Sequence, residues 1–176
     1  MLFPGGRLPL RLFEQRYLDM AKACLREDQP FGVCLIVEGR EVGEPALPAA
    51  LGCLARIAGW DMPQLGVLNI VAQGEQRFRI LERRVQRDGL QRARLELLAP
   101  ETDGPVPPQC SRCLELLERA MEQAPGLFGE PRLDSAAWVG ARLAEALPLP
   151  NSAKQELLEL HDGVERLERI NRLLGR

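Results

Sequence analysis

The sequence predicts an α+β fold, a β-rich half followed by a helical half, on three observations. Apolar residues fall on every second position from Leu8 to Leu12 and again in the two arms that flank Asp88-Gly89, the period of half-buried strands. After Cys110 they fall at three- and four-residue steps, the period of amphipathic helices. Between the two patterns lies PETDGPVPP, residues 100–108, a linker by composition. The expected organisation is a β-rich subdomain over 1–100, a proline-rich linker over 101–109 and a helical bundle over 110–176.

The elements follow in order. Pro4-Gly5-Gly6 is a turn, because proline pre-sets φ and glycine accepts a positive one. Leu8, Leu10 and Leu12 alternate with Arg7, Pro9 and Arg11, and Pro9 puts this strand near an edge. From Glu14 the period changes to helical, with Tyr17, Leu18, Ala21, Cys24 and Leu25 on one face and Arg16, Asp19, Lys22 and Arg26 turned to water. Phe31–Val37 is a nearly continuous apolar run and reads as an internal strand. Residues 41–51 are rich in proline and alanine and read as a surface excursion. Gly52–Ala58 is a strand, residues 59–64 (GWDMPQ) a loop, and Leu65–Ala72 a strand that ends at a turn or bulge at Gly74. Gln76–Leu98 is a long hairpin closed by Asp88-Gly89, with Phe78 and Ile80 alternating with Arg77 and Arg79, and Ala93, Leu95 and Leu97 with Arg92, Arg94 and Glu96.

The helical half begins near Cys110, with Leu114, Leu117 and Met121 on one face and Pro125-Gly126 as its stop. Asp134 is the expected N-cap of a helix over 135–147 that buries Trp138, Leu143 and Leu147. Ser152 to Gln155 reads as a capping box for the next helix. Asp162-Gly163 breaks that helix, and Val164, Leu167, Ile170, Leu173 and Leu174 continue as a last amphipathic segment.

Composition excludes several classes. A net charge of −2 argues against a protein built mainly to hold nucleic acid or anionic lipid. No stretch approaches a membrane span, and Met1 leads straight into a turn, so the expected location is the cytoplasm, with no membrane partner. Five scattered cysteines do not make a complete disulfide framework. Cys110-Ser-Arg-Cys113 at a helix start is the one arrangement of a kind that can lower a thiol pKa, but no βαβ context accompanies it and no second CxxC or nearby histidine completes a zinc site, so these cysteines are expected to be structural. His161 is the only histidine, no GxSxG motif accompanies it, and neither Lys22 nor Lys154 belongs to a phosphate loop. The chain is therefore expected to be no enzyme and to need neither cofactor nor metal.

The stretch PGGRLPLRLFEQRYLDM, followed by PFGVCLIVEG, closely resembles the N-terminal substrate-binding domain of Lon proteases, in the version that bacteria also make as a free-standing protein. The resemblance continues through LGCLARIAGWD, LNIVAQGEQRFRI and DGLQRARLELL to LDSAAWVGARLAEALPLP. Gln15 stands where the family usually has proline. The family's short apolar strand before the segment that begins here at Leu2 has no counterpart, so one sheet edge is expected to be unpaired. The resemblance implies a PUA-like fold, a small β-barrel or sheet followed by a C-terminal helical bundle. It also implies a non-catalytic module that recognises unfolded or tagged polypeptides, since the family's Ser-Lys protease and P-loop ATPase lie on other domains.

Binding candidates follow from that implication and from the residues. The edge at Leu8, Leu10 and Leu12 offers β-addition to a peptide, and the same edge leaves room for a homodimer. Leu47, Trp60, Met62 and Leu65 in the sheet half, with Leu127 and Phe128 in the helical half, are apolar residues in irregular segments that would line a groove. Expected partners are exposed apolar segments of unfolded or tagged polypeptides, or a protease or chaperone. The alternative is an RNA-binding module using the arginine-rich hairpin face at Arg77, Arg79, Arg92 and Arg94. Net acidity and the absence of interleaved aromatics make it the less favoured reading.

Overall fold

The structure is a computed structural model that describes residues 1–40, 42–124, 126 and 128–175. It divides into a sheet unit of Leu2 and Arg7–Leu98, and a helical unit of Met1, Phe3–Gly6 and the described residues from Ala99 on.

The sheet unit contains β1 (Arg7–Leu12), α1 (Gln15–Glu27), β2 (Phe31–Glu38), β3 (Leu47–Gln64), β4 (Val67–Val85) and β5 (Gln91–Leu97). All pairings are antiparallel, in the order β1-β4-β3-β2, and β5 also pairs with β4. β4 gives residues 68–73 to β1 and 78–85 to β5, and its other flank to β3. Alternation works as expected on β1. Leu8, Leu10 and Leu12 turn inward, where Leu2, Cys53, Ala55 and Ala72 form one buried cluster and Leu18, Ala21, Leu68 and Ile70 another. The second cluster is where α1 lies on the sheet. β2 and β3 approach closely at Gly52, where a Cβ would stand 2.5 Å from the Val33 carbonyl oxygen and 2.9 Å from the Phe78 ring. Only glycine fits there.

Four local expectations are corrected. β3 begins at Leu47, inside the stretch 41–51 read as a surface excursion, because Leu47 and Pro48 pair with Glu38 and Ile36 of β2. Residues 59–64 are strand rather than loop, because their backbone pairs with β4 from Val67 to Val71. Pro63 falls where the register skips from Asp61 to Gln64, so its missing N–H removes no ladder bond. Residues 67–85 are one strand, with the irregularity at Gly74 absorbed as a bulge, since Ala55 faces Gly74 and Cys53 faces Arg77. Arg16 does not face water. It is buried, donating to the Gly43 and Gly89 carbonyls at 2.7 and 3.1 Å and pairing with Glu14 at 2.8 Å.

The helical unit contains a 3-10 turn at Pro108–Cys110 and α2 (Ser111–Gln123), α3 (Ala136–Ala146), α4 (Asn151–Glu159) and α5 (Gly163–Leu174). Its buried residues include Leu117, Val139, Leu143, Leu157, Leu158, Leu167 and Ile170. The proline-rich stretch is tied to the helix starts rather than free of them. The N–H of Thr102 donates to the His161 carbonyl at 3.0 Å, and the N–H of Ala136 donates to the Gly104 carbonyl at 2.9 Å.

Capping differs from expectation at two helices. α3 is capped by Ser135, not Asp134: the Ser135 hydroxyl accepts from Trp138 N–H at 3.0 Å and donates to Asp103 at 2.6 Å. α4 starts at Asn151, directly after Pro150, so Ser152 already lies inside the helix and no side chain caps it. Asp162, read as a break, is the cap of α5 and accepts from Val164 and Glu165 N–H at 2.8 and 3.0 Å.

Asp103 also accepts from the N–H groups of Ala137 and Gly104, both at 2.9 Å. Burial pushes its carboxyl up, but the hydrogen bonds from Ser135, Ala137 and Gly104 outweigh it and hold the group below its ordinary value. Its contribution is therefore complete above the unfolded pKa and disappears as pH falls through the folded one. Asp103→Ala is expected to cost about 1–2 kcal/mol at neutral pH. Urea denaturation should show the gap to wild type closing in acid; a gap independent of pH would mean that the carboxylate charge plays no part.

Candidate functional site

The candidate peptide site is the outer end of the β3–β4 arm. Strand pairing carries Trp60 into the same row as Ile70 and Leu10. Directly opposed residues share a face, so Trp60 points to the side that α1 covers. It is nonetheless 60% exposed, while Ile70 is 2% exposed. Met62 follows at 49% and Leu65, at the turn closed by Gly66 with φ +82°, at 96%. An apolar cluster held at the end of two paired strands gains little from the fold, and such patches mark interaction sites.

Beside the cluster, Pro9–Arg11, Gly59–Asp61 and Asn69–Val71, three aligned segments of β1, β3 and β4, line a depression of ≈ 510 Å³. Gly59 adds no side chain to it and faces open space, where a Cβ would meet nothing within 4 Å. Alternation alone could not reveal this site: it depends on the β3 register, which places Gly59 and Trp60 opposite Val71 and Ile70.

The other sequence candidates separate. Leu8, Leu10 and Leu12 are half-buried and pack on the two sheet clusters, so β1 has its backbone edge to offer rather than these side chains. That edge is a weakened template. The ladder runs unbroken through Pro9, which has no N–H, so the backbone of Pro9 faces away from β4 and the free edge lacks its central donor. Exposed Arg7 and Arg11 flank the gap. Leu47 is 43% exposed at the start of β3. Phe128 is 7% exposed and has too little surface to meet a partner, so it leaves the contact set. Leu127 lies outside the described residues.

The arginine face is also corrected. The bulge after Gly74 breaks the alternation, and Arg77 is buried at 3% beside buried Phe78. Arg79 pairs with Glu96 at 3.0 Å and Arg94 with Glu82 at 3.5 Å, which leaves Arg92 as the one of the four candidates on the surface without an ion pair among the described residues.

Cys110 and Cys113 are buried, with Cys113 Sγ 3.7 Å from Asn171 Oδ1. Burial pushes both thiols up, Cys113 to about 11, the opposite of what thiolate chemistry needs. Alkylation at neutral pH is expected to reach neither until the protein is denatured; rapid modification of the native protein at either position would overturn this assignment. Among the described residues no group of three or more His, Cys, Asp and Glu is arranged to hold a metal ion, and no helix is long and apolar enough to cross a membrane.

Comparison with known proteins follows the same outline. The chain is 38% identical to a Lon N-terminal domain protein from Xanthomonas campestris, whose crystal structure superposes with a TM-score of 0.79 over 97% of this chain and 90% of that one. The N-terminal domain of a Mycobacterium avium complex Lon protease, 19% identical, has the same fold at a TM-score of 0.66, with 97% and 90% of the two chains covered. A Lon protease of Paraburkholderia phytofirmans is 32% identical over 97% of this chain, and protein cereblon of Gallus gallus is 34% identical over 56% of it. This chain spans 22% of the length of each of those two proteins. The family pattern of the ATP-dependent protease La (LON) substrate-binding domain matches residues 1–176. A pattern that runs from end to end, with a solved relative superposing over nearly all of it, makes the chain a member of the Lon substrate-binding domain family.

Proposed function

We propose that the chain is a non-catalytic recognition module that takes up exposed apolar segments of polypeptides through the end of the β3–β4 arm. The observation that carries this is the exposure of Trp60, Met62 and Leu65 together on one arm. A rigid aromatic anchor beside smaller apolar contacts is the arrangement that dominates binding energy at protein interfaces. The family's description as the substrate-binding domain of a protease supports a polypeptide ligand, and the exposed apolar side chains of the arm support this end of the sheet as the surface it would meet. Proteolysis belongs to the longer Lon proteins and is not carried over to this chain. A protease or chaperone that receives the bound polypeptide fits the same reading as a second partner.

The test is a titration of the purified chain with a fluorescent, permanently unfolded polypeptide at low and moderate salt. Saturable binding that persists at moderate salt supports the reading, since apolar contacts are not screened. Binding confined to RNA, falling steeply with salt, would replace it with the nucleic-acid reading.

A further inference from the structure

The β4–β5 hairpin sets two like charges directly opposite each other. Arg84 faces Arg92 directly in the antiparallel register, and Glu82 faces Arg94 two residues nearer the sheet. Side chains two residues apart share a face, so these four lie together. The acids of the hairpin are already engaged: Glu82 with Arg94, Glu96 with Arg79, and Asp88 as acceptor from Leu90 N–H at 2.9 Å. Arg83, on the opposite face, donates to the Ala46 carbonyl and to Gln91. Arg84 and Arg92 are exposed and have no ion-pair partner among the described residues. A depression of ≈ 330 Å³ in this part of the hairpin is lined by Glu82, Arg83, Arg84, Arg92, Ala93 and Arg94. Like charges directly opposite each other destabilise a sheet. Two guanidinium groups rooted about 5 Å apart also concentrate positive charge that favours a carboxylate, which either one can hold bidentately.

We propose that Arg84 and Arg92, fourteen residues along β4 from the row of Trp60 and Ile70, read acidic side chains in the bound polypeptide, so that the module prefers polypeptides that carry aspartate or glutamate at a distance from the apolar segment. The proposal rests on the recognition reading above and names its substrate class. A carboxylate suits the site better than a nucleic-acid backbone. No aromatic residue occurs from Arg79 to Leu98 to stack a base, and the arginines that would extend a phosphate track, Arg79 and Arg94, are held by Glu96 and Glu82.

The test titrates the full chain with two fluorescent peptides of identical apolar sequence, one bearing, about fourteen residues from the apolar stretch, a run of glutamates and the other glutamines in their place. The glutamate peptide is expected to bind about fivefold tighter at low salt, the value of two exposed charge pairs, with the advantage shrinking as salt rises. The double variant R84Q/R92Q should abolish the advantage and leave the glutamine peptide unaffected. Removing facing like charges should leave its Tm unchanged or raised, which shows that it folds. Equal affinity for the two peptides, or an advantage that survives in the variant, overturns the proposal and leaves the recognition reading standing. Displacement of the glutamate peptide by an RNA oligonucleotide of equal charge overturns it in favour of nucleic acid. Failure of both peptides to bind overturns the recognition reading, and this proposal with it.

Discussion

Glu101→Ala is expected to destabilise the helical unit by about 3–5 kcal/mol, a large part of what holds a domain of this size together. Arg166 on α5 is fully buried, and Glu101 grips it with both oxygens, each 2.6 Å from a guanidinium nitrogen. The Leu157 and Leu160 carbonyls accept from the same guanidinium at 2.8 and 2.9 Å, and the Phe3 ring lies 5.5 Å from its central carbon. Carbonyl dipoles and a ring face do not neutralise a cation out of water, so removal of Glu101 leaves an uncompensated buried charge. The effect should be read as a shift of the urea midpoint at constant m-value. The double variant Glu101→Leu with Arg166→Met should recover most of the loss, because an apolar pair of similar volume avoids the desolvation penalty altogether. A loss below about 1 kcal/mol would place this pair with surface ion pairs and show that water reaches it.

This ion pair also marks how far the sequence could be read. The strands and helices were legible because each repeats a local signal: Leu8, Leu10 and Leu12 at period two, Leu167 and Ile170 at helical spacing, Asp88-Gly89 at a hairpin turn. Arg166, Arg142, Arg77 and Arg16 were not legible as buried residues. A long charged side chain on a helix or strand reads as solvent-facing by periodicity, and what buries it is a partner distant in sequence, 65 residues away for Arg166 and 73 for the Gly89 carbonyl that takes Arg16. The cap of α3 was misplaced for the same reason. Asp134 and Ser135 are both good caps in isolation, and the choice falls to Ser135, whose hydroxyl also donates to Asp103.

The candidate site was half legible. Trp60, Met62 and Leu65 stood out as apolar residues among turn-forming neighbours, and their exposure follows that reading. Residues 59–64 nonetheless read as a loop, because Gly59 and Pro63 are loop residues by propensity. Cross-strand bonding to β4 overrides both, and it turns a flexible presentation of Trp60 into a rigid one. Rigidity matters to the proposed function, since an anchor already held in place loses less entropy on binding.

Trp60→Ala is therefore expected to weaken binding of an unfolded polypeptide by about thirtyfold, the loss of a 2 kcal/mol anchor. Because the indole is mostly exposed in the free protein, the same change should move the unfolding free energy by less than about 0.5 kcal/mol. The two readouts together separate function from packing. The protein has two tryptophans, Trp60 and Trp138, so a Trp138→Phe background isolates the emission of the first. Ligand that covers Trp60 should shift that emission to the blue, and Leu65→Ser in the same background should reduce the affinity without changing the starting spectrum. If Trp60→Ala instead costs stability and leaves binding intact, the indole is a packing residue at the end of the sheet, and the peptide site must be sought elsewhere on the molecule.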